Sequence, residues 1–566
     1  MVEASRGAVS EELLDSDNIQ GNILAGFNKD HQVFLFMQMA RDVRGIAGVR
    51  AWLRTIAAQI SSTAEVHRFN DLFKALKIRQ GRDPVGLIAT WVNIAFSAGA
   101  LKALTSPEDV EKFTDAPFLD GLAVWSGELG DPSDANAEGH PKRWVVGGPQ
   151  NEADIVLIVA SDSAAILAER VMQLKATLTN TAEPKSGVAL ESALRVVWEQ
   201  PGQTLPPPLV GHEHFGFKDG ISQPGIRGYV RAAPEKLVTP RLIDPTRAPQ
   251  QEPKSPEFAK PGQPLIWPGQ FIFGYRRQDP NDPRRPPLAP NELMMNCPAW
   301  AHDGSFLVVR RLRQDVAAFR TIVAAEAQRL AGSNPVLAGM TPELLAAKLV
   351  GRWPSGAPVM RARTKEDTEL GADDKANNYF GFANDSGPPL PIRPEEGYAG
   401  DGFALSVQDD PGVTCPLSAH IRKVNPRDSI SEQGNTHDAL TRMVLRRGIP
   451  FGPPYMGDVE ARAGKGGCSS QRGLIFVCYQ TSIEKQFVFL QRNWANHASN
   501  PNGGGGEDPL IGQGTDEAQR QRFVDIPAEG EVSETLVLPG DFVIPTGGGF
   551  FFSPSISTIT NVLARS

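Results

Sequence analysis

The amino-acid sequence predicts an α+β protein built from two domains. Its 566 residues exceed the size at which a single hydrophobic core usually stops growing. Apolar runs of strand length alternate with helical patterns in both halves of the chain, which is typical of sheets covered by helices. A segment rich in proline and charge separates the halves. We therefore expect an N-terminal domain over 1–235, a connecting segment over 236–300 and a C-terminal domain over 301–566.

The first half contains three predicted strands, each followed by a predicted helix. The first helix is indicated by apolar residues at helical spacing, of which Val49 and Leu53 are two. The second helix is preceded by Ser106, which with Asp109 three residues later resembles a capping box. In order, the predicted elements are strand 33–39, helix 43–60, strand 87–96, helix 106–113, strand 154–160 and helix 163–178.

The second half repeats this alternation. Asp315 follows a strand-like run and precedes apolar residues at helical spacing, so it is a candidate helix cap. A second apolar run, GLIFVCYQ, leads directly into another helical pattern. In order, the predicted elements are strand 305–312, a helix after Asp315, strand 473–480, helix 481–496 and strand 542–554.

Composition and charge exclude several classes of function. A net charge of −8 argues against a surface that binds nucleic acid. No run approaches the roughly 18–20 apolar residues that span a bilayer, since the strongest run, IVLIVA at 155–160, has strand length. The polar, acidic first residues resemble neither a secretory signal nor a transit peptide. We therefore expect a cytoplasmic protein without nucleic-acid or membrane partners.

The cysteines and the glycine-rich stretches do not form sites of familiar spacing. Four cysteines are few for this length, and none are in CxxC spacing, so neither a disulfide framework nor a thiolate metal site is expected. GKGGCSS at 464–470 has glycine after the lysine and lacks the spacing of a phosphate-binding loop. PNGGGGEDP at 501–509 and PTGGGFF at 545–551 are more typical of tight loops.

The stretch GHEHFGFKDGISQPG at 211–225 allows two interpretations from its residues alone. His212, His214 and Asp219 could form a hydrolytic metal site, because a His-x-His pair on a strand points both rings to one side. Alternatively, Asp219 with Gly220 forms a turn, which is what Asp–Gly pairs usually do. Within this window the turn is favoured.

Two further stretches place basic residues around candidate ligands. CPLSAHIRKVNPRD at 415–428 has His420 in a short apolar segment, followed by Arg422, Lys423 and Arg427. Such basic residues would suit the anionic edge of a cofactor. TRMVLRRGIPFGPP at 441–454 sets Arg446 and Arg447 after an apolar run, where an arginine pairs with a carboxylate or faces a ligand.

These stretches resemble the dye-decolourising (DyP-type) peroxidase family. GFKDG matches the GxxDG motif of that family, CPLSAHIRK resembles its haem-ligand segment, and LRRGIPFG resembles its distal-arginine segment. The similarity covers nearly the whole chain in order, and the chain resembles the longer (class C/D-like) subgroup. Further matching segments are NIQGNILAGFNKDHQVFLF (18–36), DGSFLVVRRLRQDVAAF (303–319), RGLIFVCYQTSIEKQFVFLQRNWAN (472–496), EDPLIGQ (507–513) and PTGGGFFFSPS (545–555).

The resemblance implies a fold, a cofactor and partners. The fold would be two ferredoxin-like α+β domains, with antiparallel sheets and packed helices, of the DyP-type dimeric α+β barrel superfamily. The cofactor would be one non-covalent haem b per chain, and the absence of CxxCH agrees with this, because that motif attaches haem covalently. The partners would be hydrogen peroxide and an organic reducing substrate, and the chain would be a monomer or small homo-oligomer.

Family correspondence also implies roles for individual residues. His420 would be the axial iron ligand, and Asp508 would accept the other ring N–H of His420. Asp219 and Arg446 would stand on the distal face, where Leu474 and Phe476 would form an apolar wall. Arg422 would contact a propionate. The cofactor-binding residues implied in this way are Gly220, Ile221, Arg422, Leu474 and Phe476.

The implied chemistry is peroxide cleavage followed by oxidation of dyes or phenolics. Asp219 would act as the distal acid–base group, Arg446 would keep it ionised, and an oxoferryl porphyrin radical would form. Gly216 and Gly220 would let the backbone approach the porphyrin. Gly448 stands where some subgroups carry a distal asparagine, so reliance on Asp219 would be heavier. The alternative is a protein that binds haem or releases its iron without peroxidase turnover.

Overall fold

A computed structural model describes most of the chain. The described residues are 12–180, 193–229, 262–281, 288–374, 376–383, 403–404, 406–457, 471–530 and 532–565. The predicted domain boundary near residue 235 lies outside them, as do 236–261 and 282–287 of the connecting segment and the glycine-rich stretch at 464–470. The division into domains therefore stays a prediction.

Strands supply the framework of the described part of the chain. All six predicted strands are present within about three residues of their predicted ends. β4 was not predicted, because its sequence has neither a long apolar run nor strict alternation and contains Pro201. The strands are β1 His31–Met39, β2 Thr90–Phe96, β3 Ile155–Ser161, β4 Leu194–Gln203, β5 Gly225–Ile226, β6 Leu265–Ile266, β7 Ser305–Gln314, β8 Leu445–Arg446, β9 Ile449–Phe451, β10 Gly473–Gln480, β11 Arg522–Ala528, β12 Val532–Leu538 and β13 Val543–Ser553.

Nine of these strands form one antiparallel sheet within the described residues. Its order is β4-β1-β3-β2-β13-β7-β10-β8, and β9 also pairs with β10. The two halves of the chain meet where Phe552 of β13 pairs with Phe96 of β2. An α+β fold with antiparallel sheets is thereby confirmed. β11 and β12 form a separate antiparallel hairpin, and β5 pairs with β6 in parallel.

Helices cover the sheet and connect its strands. Asp42 caps α2 by accepting a hydrogen bond from Gly45 N, and Asp315 caps α9 in the same way through Ala318 N, as predicted. The α-helices are α1 Gly21–Leu24, α2 Val43–Ile56, α3 Thr63–Gln80, α4 Ala98–Leu104, α5 Pro107–Val110, α6 Ala116–Asp120, α7 Leu122–Trp125, α8 Ala164–Asn180, α9 Val316–Ser333, α10 Pro342–Val350, α11 Thr368–Ala372, α12 His420–Val424, α13 Asp438–Thr441 and α14 Ile556–Thr558.

Tighter and wider helical turns complete the structure. The predicted helix over 481–496 is present as π-helical turns, and the predicted helix over 106–113 is α5 followed by a 3₁₀ turn. The π-helical turns are Ile483–Val488, Leu490–Ala495 and Ile559–Leu563. The 3₁₀ turns are Ala57–Gln59, Glu111–Phe113, Pro141–Arg143, Pro268–Gln270, Pro290–Leu293, Ala299–Ala301, Pro335–Leu337 and Glu517–Arg520.

The sheet is buried on both faces. Successive side chains of a strand point to opposite faces, and in β1 this alternation divides the apolar residues between two cores. Leu35 belongs to the core that contains Trp52 of α2, whereas Phe34 belongs to the core that contains Tyr479 of β10. A third core packs α9 and α10 against the hairpin β11–β12. Within the described ranges, no helix has the length and apolar character that crossing a lipid bilayer requires.

Candidate active site

A cavity of about 310 Å³ lies between β7, β10, α12 and the loop that precedes β5. The structure brings seven of the nine predicted site residues to its lining, although they are up to 257 positions apart in the chain (476 − 219). Asp508 and Arg422 are not among the lining residues. The seven that line the cavity are Asp219, Gly220, Ile221, His420, Arg446, Leu474 and Phe476.

His420 is the first residue of α12 and is held by a buried carboxylate. Its Nδ1 donates a hydrogen bond to Asp508 Oδ2 at 2.8 Å. The other carboxylate oxygen, Oδ1, accepts from Leu510 N at 2.8 Å and from Ile511 N at 3.0 Å. Because an ionised carboxylate only accepts, Asp508 places the ring hydrogen on Nδ1. In the neutral ring, Nε2 of His420 is thereby left as an acceptor, and no described residue bonds to it.

Electrostatics support the ion pair between His420 and Asp508 in the protein chain itself. Burial alone would lower the pKa of His420, but the charge of Asp508 and its hydrogen bond outweigh burial and raise that pKa above its ordinary value. Burial would likewise raise the pKa of Asp508, but the charge of His420 and the three hydrogen bonds lower it. The pair is therefore a stable and oriented unit at the edge of the cavity.

Asp219 is carried by a tight hairpin. The backbone N–H of Asp219 donates to Gly211 O at 3.0 Å, and His212 and Lys218 form an antiparallel bridge. Gly220 has φ of +79°, a conformation that favours glycine, and a Cβ at this position would meet no described atom within 4 Å. Gly216 has φ of +103° but does not line the cavity. Turn geometry alone accounts for Gly216.

Arg446 pairs with Asp219 across the loop. Asp219 Oδ1 accepts from Arg446 Nη1 at 2.9 Å and from Gly220 N at 2.6 Å. Arg446 Nη2 donates to Ser222 O at 3.1 Å, and the Gln223 side chain bonds to both backbone groups of Arg446. Oδ2 of Asp219 has no hydrogen bond to any described residue. One oxygen is thus fixed by a cation, and the other is free to exchange a proton.

An apolar wall adjoins this pair. Leu474 and Phe476 are two positions apart on β10, so their side chains point to the same face. The Phe476 ring lies 5.9 Å from that of Phe487, centre to centre. Gly448 also lines the cavity, and a Cβ there would lie 3.0 Å from Ile475 O. Leu474 and Phe476 thus contribute apolar surface to the cavity that Asp219 also lines.

The alternative metal site is not assembled. Nδ1 of His212 donates to Val210 O at 3.0 Å, whereas Nε2 of His214 donates to Phe451 O at 2.9 Å. Burial lowers the pKa of His214 to about 4, so this ring stays neutral. In the part of the chain that the structure describes, no group of three histidine, cysteine, aspartate or glutamate side chains could hold a metal ion. The cysteines at 297, 415 and 478 are free thiols, and Cys468 lies outside the described residues.

The arginines that line the cavity do not include Arg422, which the sequence favoured for contact with a propionate. Arg422 is buried elsewhere, where it donates to Cys415 O at 2.8 Å and to Asp409 O at 3.0 Å. Arg427, four positions after Lys423, and Arg352 line the cavity instead. The basic run of 415–428 did indicate Arg427, but no pattern around Arg352 indicated its role.

Arg352 and Arg427 converge on two neutral groups. Arg352 Nη2 donates to Ser222 Oγ at 3.1 Å and to Asn378 Oδ1 at 3.2 Å, and Arg427 Nη2 donates to the same two atoms. Burial lowers the pKa of both guanidinium groups, that of Arg427 to about 10. Neither forms an ion pair with a described residue. This end of the cavity therefore suits an anion.

The donor set fits the haem that the sequence implied. A flat apolar macrocycle needs an apolar cavity, an imidazole nitrogen for iron and cations for its carboxylates. The cavity offers Leu474 and Phe476, Nε2 of His420, and the pair Arg352 and Arg427. Gly220 leaves open space beside its backbone. The residues present therefore fit the group.

Comparison with known proteins adds an independent finding. The profile described as the DyP dimeric alpha+beta barrel domain matches residues 18–195, and the profile of the Dyp-type peroxidase C-terminal region matches residues 362–503. The dye-decolorizing peroxidase msp1 of Mycetinis scorodonius is 30% identical over 99% of this chain and 90% of its own length. The dye-decolorizing peroxidase AauDyP1 of Auricularia auricula-judae is 29% identical over 98% of this chain and 88% of its own length.

A solved structure of a dye-decolorizing peroxidase has a fold similar to that of this chain. An ancestral D-type dye-decolorizing peroxidase superposes with a TM-score of 0.73 and 30% identity, covering 98% of this chain and 100% of that chain. The similarity thus extends over both halves of the sheet and over the residues that surround the cavity.

Proposed function

The chain belongs to the dye-decolourising (DyP-type) peroxidase family, and from this membership we propose that it uses hydrogen peroxide to oxidise bulky organic substrates such as dyes and phenolics. The enzyme is a peroxide-dependent oxidoreductase. The observation that carries the proposed mechanism is the ion pair of Asp219 and Arg446 at 2.9 Å, on the cavity that His420 also lines.

The cofactor proposed is one non-covalent haem b per chain. His420 Nε2 is the atom available to iron, and the bond from Nδ1 to Asp508 orients the ring and increases its basicity. Arg352 and Arg427 are the cations available to the haem carboxylates. When bound, the haem would supply the two electrons that peroxide takes up, and it would regain them from the reducing substrate.

Asp219 is proposed to move the proton that peroxide cleavage requires. One oxygen of hydrogen peroxide must lose a proton, and the other must gain one to leave as water. Oδ2 of Asp219, which no described residue occupies, can accept the first proton and return it to the departing oxygen. Arg446 stays bonded to Oδ1, where its positive charge balances the carboxylate of Asp219 before it accepts the proton and after it returns the proton.

The size of the cavity bears on the reducing substrate. About 310 Å³ is at the lower end of small-molecule sites, and the haem would occupy part of this space. The remaining space would admit hydrogen peroxide but not a dye. Bulky substrates therefore give up electrons outside the cavity, one at a time. A monomer or small homo-oligomer in the cytoplasm is part of the same proposal.

The alternative function, binding of haem without turnover, uses His420 in the same way. It has no need of a proton-transfer group, however, and neither Asp219 nor Arg446 would then have a role. A carboxylate with one oxygen bound to a guanidinium and the other free is the arrangement that proton transfer requires. The pair therefore favours catalysis.

The absorption spectrum of the haem-supplemented protein tests both functions. We expect a Soret band that decreases and broadens within milliseconds of adding one equivalent of hydrogen peroxide. His420→Ala should lose the haem or shift the band strongly, because Nε2 is the proposed ligand. His212→Ala is the matched control and should keep the band, since His212 does not line the cavity.

Three results would contradict the proposal in different ways. An unchanged band in His420→Ala would assign the iron to another histidine. A band indifferent to peroxide would support haem binding without turnover. A protein without a Soret band would exclude haem altogether.

A further inference from the structure

A second carboxylate lines the same cavity on the hairpin that carries Asp219. Glu213 lies six positions before Asp219, and the proton transfer described above does not use it. Its Oε1 accepts from Phe217 N at 2.9 Å, and its Oε2 accepts from Phe215 N at 2.9 Å. Oε2 also accepts from Gln314 Nε2 of β7. Three donors on two different parts of the chain therefore converge on this one group.

The carboxylate lies inside the hairpin that it stabilises. Glu213 N donates to Phe217 O at 3.0 Å, and Gly216 N donates to Glu213 O at 3.0 Å, which closes the turn. The side chain then binds the N–H groups of Phe215 and Phe217. Asp219 follows two residues after Phe217, and Asp219 N bonds to Gly211 O. The position of Asp219 is thus a continuation of the turn that Glu213 organises.

These contacts require a group that only accepts hydrogen bonds. A glutamine at position 213 would direct an NH₂ group at one of the backbone N–H donors, so at least one bond would be lost. No described cation pairs with Glu213. Lys218 Nζ donates to Gly371 O at 3.4 Å, and Arg310, the arginine of β7 that lines the cavity, is paired with Asp131. Glu213 is therefore held by neutral donors.

The environment of Glu213 is also informative about its charge. Burial raises its pKa to about 6, and the charge of Asp219 adds to this shift, while the three hydrogen bonds oppose it. Glu213 is half-buried, and its three hydrogen bonds offset the cost of taking a carboxylate without a cation out of water. Those same bonds place the hairpin.

We propose that Glu213 is a positioning residue for the peroxidase reaction: it fixes the 211–219 hairpin to β7 through Gln314 so that Asp219 meets Arg446 with its free oxygen in the cavity. His214 provides a second attachment, because it donates to Phe451 O of β9. The hairpin is therefore held to one strand on each side of β10, since β7 and β9 both pair with β10. This inference rests on the function proposed above.

The test is a double-substitution cycle between Glu213 and Asp219. Glu213→Gln should slow the reaction of the haem-loaded enzyme with peroxide by about 10- to 100-fold, because a displacement near 1 Å costs a positioned group about that much. In an Asp219→Asn background the same substitution should have almost no further effect, because it acts only through Asp219. The loss should appear in kcat/KM for peroxide and not in kcat/KM for a small aromatic reductant.

A second measurement reads the hairpin directly and does not depend on activity. In Glu213→Gln, hydrogen exchange at the amides of Phe215 and Phe217 should be faster than in the wild type, with the Soret band unchanged. Glu65→Gln is the matched control: Glu65 also binds a backbone amide, Ser62 N at 2.8 Å, but at the start of α3 and away from the cavity. It should leave the peroxide reaction unchanged.

Specific outcomes would overturn the inference. Wild-type peroxide rates in Glu213→Gln would do so, as would an equal loss of rate with and without Asp219. If Glu213→Gln fails to fold, Gln314→Leu removes the attachment to β7 and should give the same pattern in the cycle. If the wild type itself does not react with peroxide, the proposed function fails. If Asp219→Asn is slow and Glu213→Gln is not, only the positioning role fails.

Discussion

Asp508 makes three hydrogen bonds and has a fully buried side chain, whereas Asp219 makes two and leaves 40% of its side chain exposed. Both carboxylates are paired with a basic side chain that lines the cavity, His420 in one case and Arg446 in the other. Every oxygen of Asp508 is occupied, but Oδ2 of Asp219 is free of described partners. Each region thus pairs a carboxylate with a basic side chain, but hydrogen bonds hold both oxygens of Asp508 and only one oxygen of Asp219.

This difference gives the two carboxylates different tasks: Asp508 fixes the position of a proton, and Asp219 can move one. A carboxylate bound by backbone amides cannot rotate or accept a further proton without losing a bond, so Asp508 fixes which nitrogen of His420 carries hydrogen. A carboxylate with one free oxygen can gain and release a proton while its other oxygen stays bonded. The comparison therefore predicts different consequences for the same chemical change, aspartate to asparagine, on the two sides.

The largest effect is expected for Asp219, the carboxylate with a free oxygen. Asp219→Asn should keep the haem and its Soret band but slow the peroxide step by about 10²–10⁴-fold, the usual contribution of a general acid–base group. Stopped-flow absorbance after mixing with hydrogen peroxide measures the rate. Asp410→Asn is the control, because Asp410 is exposed and does not line the cavity. Equal rates in Asp219→Asn and the wild type would remove Asp219 from the mechanism.

A smaller effect, on the rate of haem dissociation, is expected for Asp508. In Asp508→Asn the side-chain oxygen can still accept from Leu510 N and Ile511 N, which turns the NH₂ group towards Nδ1 of His420. The imidazole hydrogen then moves to Nε2, the atom proposed to bind iron. Haem should therefore dissociate about 10- to 100-fold faster, as is typical when the partner of a ligating histidine is changed.

Transfer of haem to an excess of an acceptor protein measures this dissociation. Glu507→Gln changes the neighbouring carboxylate, which accepts only a 3.3 Å bond from Phe523 N, and should leave the rate unchanged. Unaltered dissociation in Asp508→Asn would mean that something other than Asp508 sets the tautomer of His420.

The sequence was sufficient for the strands that contain a continuous apolar run. β3 and β7 are buried along their whole length or nearly so, and both were predicted. α3 was missed although Val66, Phe69 and Phe73 stand at helical spacing; in the fold only Thr63, Ala64 and Val66 of its 18 residues are buried. Its capping box, Ser62 with Glu65, was the pattern that could have revealed it.

The site was predictable where a residue belongs to a local motif. Asp219, His420 and Arg446 each stand in a short stretch that resembles the family, and the structure brings all three to one cavity. Arg352 belongs to no such stretch, and only the folded chain places it beside Arg427. Arg422, which the sequence favoured, bonds to Cys415 and Asp409 instead. Arg422 lies in α12, whereas Arg427 lies after its end with φ of +54°, so the path of the chain beyond the helix, which spacing alone does not give, decides between the two arginines.

A third effect, on stability and not on a rate, concerns a buried carboxylate without a cation, which sharpens the comparison with Asp508. Asp115 is as buried as Asp508, but its partners are Ser482 Oγ and the N–H groups of Glu484 and Phe118. Burial raises its pKa to about 6, above the ordinary 3.8. The folded protein therefore holds this proton between about pH 4 and 6, where the unfolded chain has released it, so this group adds stability as the pH falls.

Asp115→Asn should remove that pH-dependent part. When the pH falls from 7 to 4, the free energy of unfolding of the wild type should increase, relative to that of the variant, by up to about 3 kcal/mol. This number follows from a pKa shift of about two units at about 1.36 kcal/mol each. Urea unfolding at several pH values measures the difference, which other carboxylates do not affect because they are common to both proteins. Glu108→Gln, an exposed change nearby, should give a curve parallel to the wild type. If Asp115→Asn were also parallel, burial without a cation would not be what distinguishes Asp115 from Asp508.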